Sequence, residues 1–374
     1  MSTTPTVALE VLLNIPPIQI YKQGEARSAV YRLLQGQSPI IGGHSTKHNK
    51  LYLEVRADNV LGLPTDSTTP KYCFVNHYRT QIPAREDWEN GPPIKAEITW
   101  YDGSKTQEGV GAGIYEPRTK MKISIPMGKP ATVFQAEITA LEHCAREIKA
   151  RKIRNKSLAI YTDSQATIKA LQSNKITSKL VLDCHKALNE ITSQNKVTLS
   201  WVPGHGGHKG NEGADDAARE GSSMRLIGPE PFCGVAKPVA KTAIMDWMDR
   251  ESRRWWRDMP GQRQAKEFLR GPSANFTEDL LSYNRKAVRI MVGLRTGHCR
   301  RKRHLSLMEV EENTECRFCQ EEEETTAHVL CHYEGLARVR FHLLGDIKPE
   351  AEREKEPLSK LLSLVRETNL DKAL

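Results

Sequence analysis

The stretch SLAIYTD, residues 157–163, decides the fold of this chain. It is an apolar run of strand length, and such runs are typical of central strands that are buried on both faces of a sheet. The run ends at Asp163, and in open α/β sheets binding sites form beyond the carboxyl ends of the strands. The stretch therefore predicts a buried strand that ends with an acidic side chain at a functional site.

The segments on either side of this strand predict the rest of an α/β domain. Residues 94–100 alternate between apolar and polar side chains, which is the pattern of a half-buried strand, and this strand stops at Asp102-Gly103-Ser104. Further strands are predicted at 109–116, 120–126 and 196–204, and helices at 132–151, 164–172, 178–193 and after the glycine-rich loop that follows residue 204. This order predicts a mixed, five-stranded sheet flanked by helices.

Glu137 is out of place for a carboxylate. It shares the apolar stripe of the helix over 132–151 with Leu141, Cys144 and Ile148, so it should face the sheet rather than water. Burying an unpaired carboxylate is costly unless a cation compensates its charge. The position therefore predicts a bound cation nearby.

The stretch HGGHKGNEGADDAARE, residues 205–220, supplies two more polar groups. His205 lies on a glycine-rich loop, and Asp215 lies in the first part of the following helix. Taken singly, each acidic residue also fits a helix cap, a turn or a solvated charge, and His205 fits an ordinary loop histidine. Together, Asp102, Glu137, Asp163 and Asp215 predict an oxygen-ligand site for Mg²⁺, and His205 is a candidate proton shuttle.

The motifs TWYDGSK, FQAEITAL, YTDSQATIKAL and WVPGHGGHKGNEGADDAARE occur in this order, and residues 94–222 resemble a type 1 ribonuclease H domain. The resemblance implies cleavage of the RNA strand of RNA–DNA hybrids with two Mg²⁺ ions, for which Mn²⁺ is an alternative. It implies that four acids hold metal and that a mobile histidine assists proton transfer and product release. These positions are Asp102, Glu137, Asp163 and Asp215, with His205 as the histidine.

The same resemblance implies which residues contact the hybrid. Gly103, Ser104, Gln135 and Gln165 fall at or beside the family's substrate-contacting positions. The cellular enzymes carry Asn or Gln a few residues before the helical glutamate, whereas this chain has Val133 and Phe134 there. Recognition of such an A-like duplex depends on its shape and on its 2′-hydroxyl groups.

A second metal site is predicted in the C-terminal tail. CRFCQEEEETTAHVLC places Cys316, Cys319, His328 and Cys331 at a spacing that suits tetrahedral zinc, although buried thiols are the alternative interpretation. His298 is a further candidate ligand. The segment WMDRESRRWWRD, residues 247–258, fits either base stacking or ordinary helix packing, and packing is the preferred interpretation.

The bulk composition agrees with a protein that binds a polyanion. The net charge of the 374-residue chain is +9, and 38% of its residues are hydrophobic, so it can bury a core. No apolar run approaches the length of a membrane span, and the N-terminus has no signal-peptide pattern, so we expect an intracellular protein that contacts no membrane.

The whole chain resembles the C-terminal part of the reverse-transcriptase polyprotein of insect LINE-like (non-LTR) retrotransposons. That resemblance implies a helical and connector segment over 1–93, the ribonuclease H domain over 94–222, and a mainly helical, zinc-binding tail over 223–374. It also implies a polymerase domain as a partner. Two alternatives remain open: a catalytically silent nucleic-acid-binding remnant, and a metal-dependent DNA nuclease of the same fold.

Overall fold

The structure is a computed structural model that describes residues 4–35, 46–88, 96–105, 109–204, 208–230, 232–349 and 358–370, with the backbone alone over 46–48 and 97–105. The chain forms two compact units, Arg27–Ala243 and a second unit that combines Met1–Ala26 with Ile244–Leu374. The domain boundaries at 93/94 and 222/223 stay predictions; in these compact units the connector lies with the central domain and the first helix lies with the tail.

The strands and helices of the first unit follow the predicted α/β order. Its strands are β1 (Ser67–Tyr72), β2 (Arg79–Gln81), β3 (Glu97–Lys105), β4 (Val110–Glu116), β5 (Met121–Gly128), β6 (Ser157–Thr162), β7 (Lys175–Ser178) and β8 (Lys196–Trp201). Two helices precede the main sheet: α2 (Ile18–Gln35), which crosses the division between the units, and α3 (Thr46–Arg56). The others are α4 (Val133–Ala150), α5 (Gln165–Gln172), α6 (Lys179–Thr192) and α7 (Lys209–Ser223).

Among the residues that the structure describes, the main sheet has six strands rather than the predicted five, in the order β2-β8-β6-β3-β4-β5. The sixth is β2, which comes from the connector and pairs in parallel with β8 at the edge of the sheet. The predicted central strand, β6, lies between β3 and β8 and is parallel to both. Strand β4 is antiparallel to both of its neighbours, β3 and β5. The architecture is therefore a mixed α/β sheet with flanking helices, as the sequence predicts.

Helix α4 begins and packs as its sequence predicts. The Thr132 hydroxyl accepts from the Gln135 backbone N–H at 3.2 Å, and the Gln135 side chain accepts from the Thr132 N–H at 3.1 Å, so the two residues form a capping box. The apolar stripe of α4, which includes Ile138, Leu141 and Ile148, is buried in the main core beneath the sheet. That packing fixes the position of Glu137 on the same stripe.

Helix α7 lies very close to the backbone of β4. A β-carbon at Gly113 would lie 2.3 Å from the Ala214 carbonyl oxygen, and one at Gly111 would lie 2.1 Å from the Ser222 nitrogen. No side chain fits at such distances, so glycine at these two positions is what allows the helix to approach the strand. The rest of the contact is made by small residues of α7, such as the buried Ala214, Ala217 and Ala218.

The connector contributes more core than its polar composition predicts. Tyr78 is 3% exposed and belongs to the main core, and Trp88 is 4% exposed under the carboxyl end of β6. Strand β1 pairs with β7 in a small antiparallel sheet, and a single turn of 3-10 helix spans Glu86–Trp88. Residues 67–88 therefore contribute to cores formed with the central domain, and the partners of their short strands lie far away in sequence.

The second unit is mainly helical. Its helices are α1 (Thr6–Leu12), α8 (Lys237–Asp258, which begins in the first unit), α9 (Arg263–Phe268), α10 (Ala274–Ser282), α11 (Arg285–Thr296), α12 (Lys302–Leu307), α13 (Ala337–Leu344) and α14 (Leu358–Glu367). Trp256 is buried and donates from its indole nitrogen to the Leu269 carbonyl at 2.8 Å, which agrees with packing rather than stacking for residues 247–258. In the part of the chain that the structure describes, no helix has the length and apolarity that crossing a membrane requires.

Candidate active site

Asp163 lies directly after the last residue of β6, at the carboxyl end of the parallel strands. The indole nitrogen of Trp201 donates to its carbonyl oxygen at 3.0 Å, and the neighbouring Thr162 pairs with Trp201 across the β6–β8 ladder. These contacts fix the backbone on both sides of the strand end. Asp163 is half-buried, so its carboxylate borders both the sheet edge and solvent.

The backbone position of Asp102 is adjacent to that of Asp163. The last recorded pair between the parallel strands β3 and β6 is Trp100 with Tyr161, and two residues further along each strand are Asp102 and Asp163. Because paired strands advance at the same rate, these two positions lie side by side at the same sheet end. The side chain of Asp102 lies outside the described part of the structure.

Glu137 reaches the same place from helix α4. It is 4% exposed, which confirms the burial that its position on the apolar stripe predicts. The Thr162 hydroxyl donates to Glu137 Oε2 at 3.1 Å and also accepts from the Ser164 backbone N–H at 3.0 Å. The residue next to Asp163 therefore holds the buried carboxylate of Glu137.

Asp215 approaches from the opposite side of the sheet end, on α7. Asp102 pairs with Gly113 across β3 and β4, and Gly113 is the residue on which Ala214 of the helix rests. Asp215 follows Ala214 directly and is half-buried. Burial raises the pKa of the Asp215 carboxyl, an effect that Arg219 opposes and Asp216 increases. A carboxylate in these surroundings favours either a proton or a cation.

His205 lies outside the described residues, but the structure describes the residue just before it, Gly204. Gly204 lies so close to Asp163 that a β-carbon there would be 3.1 Å from Asp163 Oδ2. Just after the loop, the ring of His208 lies 4.8 Å from the ring of Trp88, which also makes an edge-on contact with Tyr161 at 5.1 Å. Trp88 thus joins the start of α7 to β6.

Sequence reasoning missed Trp88. The only signal available was a large aromatic residue in a polar connector, and composition alone does not show what such a residue packs against. In the structure it forms a small core with Tyr161, Val202 and Ala214 directly under the acidic end of the sheet.

The predicted substrate contacts fall in different surroundings. Gly103 and Ser104 lie in β3, paired with Ala112 and Gly111, and Gln165 is exposed in the first turn of α5. Gln135 is fully buried: its side chain completes the capping box and donates to the Gly234 carbonyl at 2.7 Å. With no exposed surface, the Gln135 amide cannot contact a duplex in this conformation, so its role here is structural.

Three of the four predicted zinc ligands come together in the tail. One ligand atom from each of Cys316, Cys319 and His328 lies within 4.8 Å of the others. His328 Nε2 is 3.4 Å from Cys319 Sγ, and its Nδ1 is 2.8 Å from Glu322 Oε2. A carboxylate on the second ring nitrogen is the arrangement that orients a metal-binding histidine.

Cys331 is buried in the core of the second unit, as Cys316 is, and it lies in a single turn of π-helix over His328–His332. Burial raises the pKa of its thiol to about 11. Within the described residues, it is not part of the Cys316, Cys319 and His328 cluster, and neither is His298. The ring of His298 instead lies 4.5 Å from that of His304. That Cys331 completes the ligand set stays a prediction.

Comparison with known proteins gives a consistent result. Residues 95–223 match the family model described as RNase H. The chain is 34% identical over 104 residues to Ribonuclease H of Cupriavidus metallidurans, which covers 25% of this chain and 69% of that protein. It is 26% identical over 211 residues to Ribonuclease H1 of Homo sapiens, covering 49% of this chain and 71% of that protein.

A third relative, Ribonuclease H of Mesorhizobium japonicum, is 41% identical over 66 residues, which are 16% of this chain and 37% of that protein. The chain therefore spans between 37% and 71% of the length of these three relatives. In the human and Cupriavidus proteins the matched share exceeds two thirds.

Proposed function

The chain belongs to the ribonuclease H family, and on that premise we propose that it is an endoribonuclease that hydrolyses the RNA strand of RNA–DNA hybrids. One observation carries the proposal. Elements distant in sequence bring Glu137, Asp163 and Asp215, together with the backbone position of Asp102, to one end of the sheet.

We propose that these four carboxylates hold two Mg²⁺ ions. The donor set fits a hard cation because every side-chain donor in it is a carboxylate oxygen. The raised pKa of Asp215 also agrees with a site that needs a positive charge. When bound, Mg²⁺ stabilises negative charge on the reacting phosphate and favours ionisation of water.

The protein's own groups have distinct parts in the proposed reaction. Thr162 holds Glu137 in one orientation, and Trp201 holds the backbone that carries Asp163. Water adds to the phosphorus and the bond to the 3′ oxygen breaks, so the products carry a 3′-hydroxyl and a 5′-phosphate. His205 is proposed to accept and release protons during this step, since imidazole titrates near neutral pH. Gly103, Ser104 and Gln165 are proposed to contact the hybrid.

A matched pair of variants on α7 tests the proposal. Asp215→Asn removes a proposed ligand charge, while Asp216→Asn changes the adjacent residue, which is exposed and pairs with Arg219. With Mg²⁺ and a labelled hybrid, we expect Asp215→Asn to lose activity about 100-fold or more and Asp216→Asn to stay close to wild type. Equal activity in both variants would contradict the assignment.

The choice of substrate separates the alternative functions. An RNA–DNA hybrid, an RNA duplex and a DNA duplex of the same sequence are incubated with the wild-type chain, and cleavage of the hybrid alone is expected. Cleavage of the DNA duplex would favour a DNA nuclease of the same fold. No cleavage of any duplex, with binding retained, would favour a silent remnant.

We also propose a structural zinc ion in the tail, held by Cys316, Cys319 and His328. The cluster offers two thiolates and an oriented imidazole, which suits zinc. Metal analysis of the purified chain is expected to find about one zinc per chain.

The origin of the chain in a LINE-like retrotransposon, and a polymerase as its partner, belong to the proposal as well. They are supported by the resemblance of the whole sequence, including the TGH segment at 296–298 and the Cys/His segment at 316–331. A reading frame for a polymerase beside this sequence in its genome is the expected observation, and unrelated flanking genes would contradict it.

A further inference from the structure

Two aromatic side chains on and just after β1 are exposed side by side. Tyr72 is 62% exposed and Phe74 is 76% exposed, and their ring centroids lie 6.3 Å apart at an interplanar angle of 12°. Exposed aromatic groups that lie together mark interaction sites more often than single exposed residues do. Because the rings are nearly parallel, flat groups that stack on them would also be parallel to each other.

The residue between the two aromatic side chains faces the core, while both rings face solvent. Cys73, between them, packs against the main core, and its backbone N–H donates to the Asn174 carbonyl at 2.9 Å. Tyr72 lies directly opposite Lys175 of β7, so the exposed ammonium group of Lys175 is on the same face as the rings. We call the exposed side chains of Tyr72, Phe74 and Lys175 the aromatic face.

The segment that carries the aromatic face is held firmly by α5. The hydroxyl of Tyr78 donates to the Leu171 carbonyl at 3.1 Å, and the side-chain amide of Asn76 donates to the same oxygen at 3.3 Å. Gln172 Nε2 donates to Thr80 Oγ1 at 2.9 Å. These bonds join the segment after Phe74 to the C-terminal end of α5.

Helix α5 also leads from the candidate active site toward the segment that carries the aromatic face. It begins at Gln165, two residues after Asp163, and its eight residues span about 12 Å. The aromatic face and the acidic end of the sheet belong to the same compact unit, Arg27–Ala243. Helix α5 therefore connects the two places within that unit.

The free edge of β1 is a poor template for another protein strand. In the part of the chain that the structure describes, β1 pairs with β7 alone, and its opposite edge contains Pro70, which has no N–H to donate. A partner is therefore recognised through the side chains of the face rather than by strand addition. Two parallel aromatic rings and one ammonium group match bases and phosphate, the two repeating groups of a nucleic-acid strand.

We propose that the aromatic face binds an unpaired nucleic-acid strand, with a base stacked on each of Tyr72 and Phe74 and a phosphate beside Lys175. The strand would be a single-stranded extension of the hybrid cleaved at the acidic end, and in that respect the inference rests on the proposed function. Binding of a single strand itself does not depend on cleavage.

The binding experiment uses the full chain with Asp163→Asn, which keeps the oligonucleotide intact if the proposed nuclease is active. Fluorescence anisotropy measures the affinity for labelled oligothymidylate and oligouridylate of about 12 nucleotides. We expect Tyr72→Ala with Phe74→Ala to raise Kd at least about fivefold for both, since stacking is tolerant of sequence. Phe341→Ala, which removes a 60%-exposed aromatic residue in the other unit, is the matched control and should leave Kd unchanged.

Two further double variants test whether stacking is the cause. Tyr72→Trp with Phe74→Trp should retain binding, because tryptophan has a large π-face, whereas Tyr72→Leu with Phe74→Leu should bind as weakly as Tyr72→Ala with Phe74→Ala. Wild-type affinity in the Leu variant would overturn the proposal and indicate a general apolar contact, as for a protein partner. Unchanged Kd in the Ala variant would overturn it directly. Melting temperatures of all variants verify that they fold.

A cleavage experiment keeps this inference distinct from the proposed function. This experiment keeps Asp163 and compares hybrids with and without a single-stranded extension. Tyr72→Ala with Phe74→Ala should lose activity on the extended hybrid alone. If the wild type cleaves no hybrid but Tyr72→Ala with Phe74→Ala still weakens oligonucleotide binding, the proposed function is rejected and the aromatic face is retained as a binding site. Equal loss on both hybrids would reject the role of the face in holding an extension.

Discussion

The hydroxyl of Thr162 donates a hydrogen bond to the buried carboxylate of Glu137 at 3.1 Å. This bond ties helix α4 to the end of β6, one residue before Asp163. Hydrogen bonds to charged groups are stronger than neutral ones and are costly to lose when the charge is buried. The orientation of Glu137 is therefore expected to depend on Thr162.

Thr162→Val keeps the shape of this side chain but removes the hydroxyl. We expect activity on a hybrid to fall about tenfold and half-saturation to need more Mg²⁺, because the Glu137 carboxylate is no longer held in place. Cleavage measured over a range of Mg²⁺ concentrations provides the check. Thr162→Ser retains the hydroxyl and should stay near wild type; a similar loss in both variants would contradict a role for the bond.

Trp88→Leu tests the link from the connector to the acidic end. The change removes the ring contacts with Tyr161 and His208 and leaves space in a small core, so we expect a loss of about 2–4 kcal/mol in the free energy of unfolding. At a temperature where the variant is fully folded, kcat should fall more than KM rises. Trp88→Phe keeps an aromatic edge there and should be milder. A variant with wild-type stability would show that the contact is unimportant.

A pH-dependent stability is predicted from His185. Its Nδ1 is 2.8 Å from the Tyr78 hydroxyl and its Nε2 is 3.0 Å from the Asn189 amide nitrogen. Since Tyr78 donates to Leu171 and Asn189 offers an N–H, the consistent assignment is a neutral ring protonated at Nδ1. Burial, with His77 adding to the effect, lowers the pKa of His185 below its ordinary value of 6.5.

The sign of this effect follows from proton uptake. Below pH 6.5 the unfolded chain binds a proton at His185, while the folded chain resists it. The contribution of His185 to the free energy of unfolding is therefore complete above pH 6.5 and is lost as the pH falls toward the lowered pKa. Melting temperatures at about pH 7.5 and about pH 5.5 should therefore differ more for wild type than for His185→Gln. An equal difference in the two proteins would refute the assignment.

The tail site makes a prediction about Glu322. Glu322→Gln should weaken zinc binding about 10–100-fold, because the carboxylate orients His328, whereas Glu321→Gln should have little effect. Titration with a chelator of known affinity measures the difference. Cys319→Ser should abolish binding and Cys331→Ser should retain it, since Cys331 lies outside the cluster. Loss of zinc in Cys331→Ser would restore the ligand set that the sequence spacing indicates.

Much of the central domain could be predicted because its signals are local. The apolar run that ends at Asp163 and the stripe that contains Glu137 each specify an element and the face it buries, and the structure agrees with both. The capping box that begins α4 is likewise a local pattern, although the sequence resemblance implies a substrate contact for its Gln135. A resemblance in sequence does not reveal that the Gln135 amide already forms hydrogen bonds within the fold.

The failures share one physical cause, which is dependence on distant partners. Strand β2 has three residues and acquires its strand character from β8, more than a hundred residues later. The first helix, α1, packs into the core of the tail through Ala8, Val11 and Leu12, and nothing in its own sequence names that partner.

Gly113 controls how closely the helix that carries Asp215 approaches the strands of the sheet. Helix α7 can approach β4 this closely because Gly113 has no β-carbon; a β-carbon there would lie 2.3 Å from backbone atoms of Ala214 and Ala218. Any other residue would push outward the helix that carries Asp215, away from the strand that carries Asp102. Adding a single carbon atom at this position would therefore separate Asp215 from Asp102 without altering either acid.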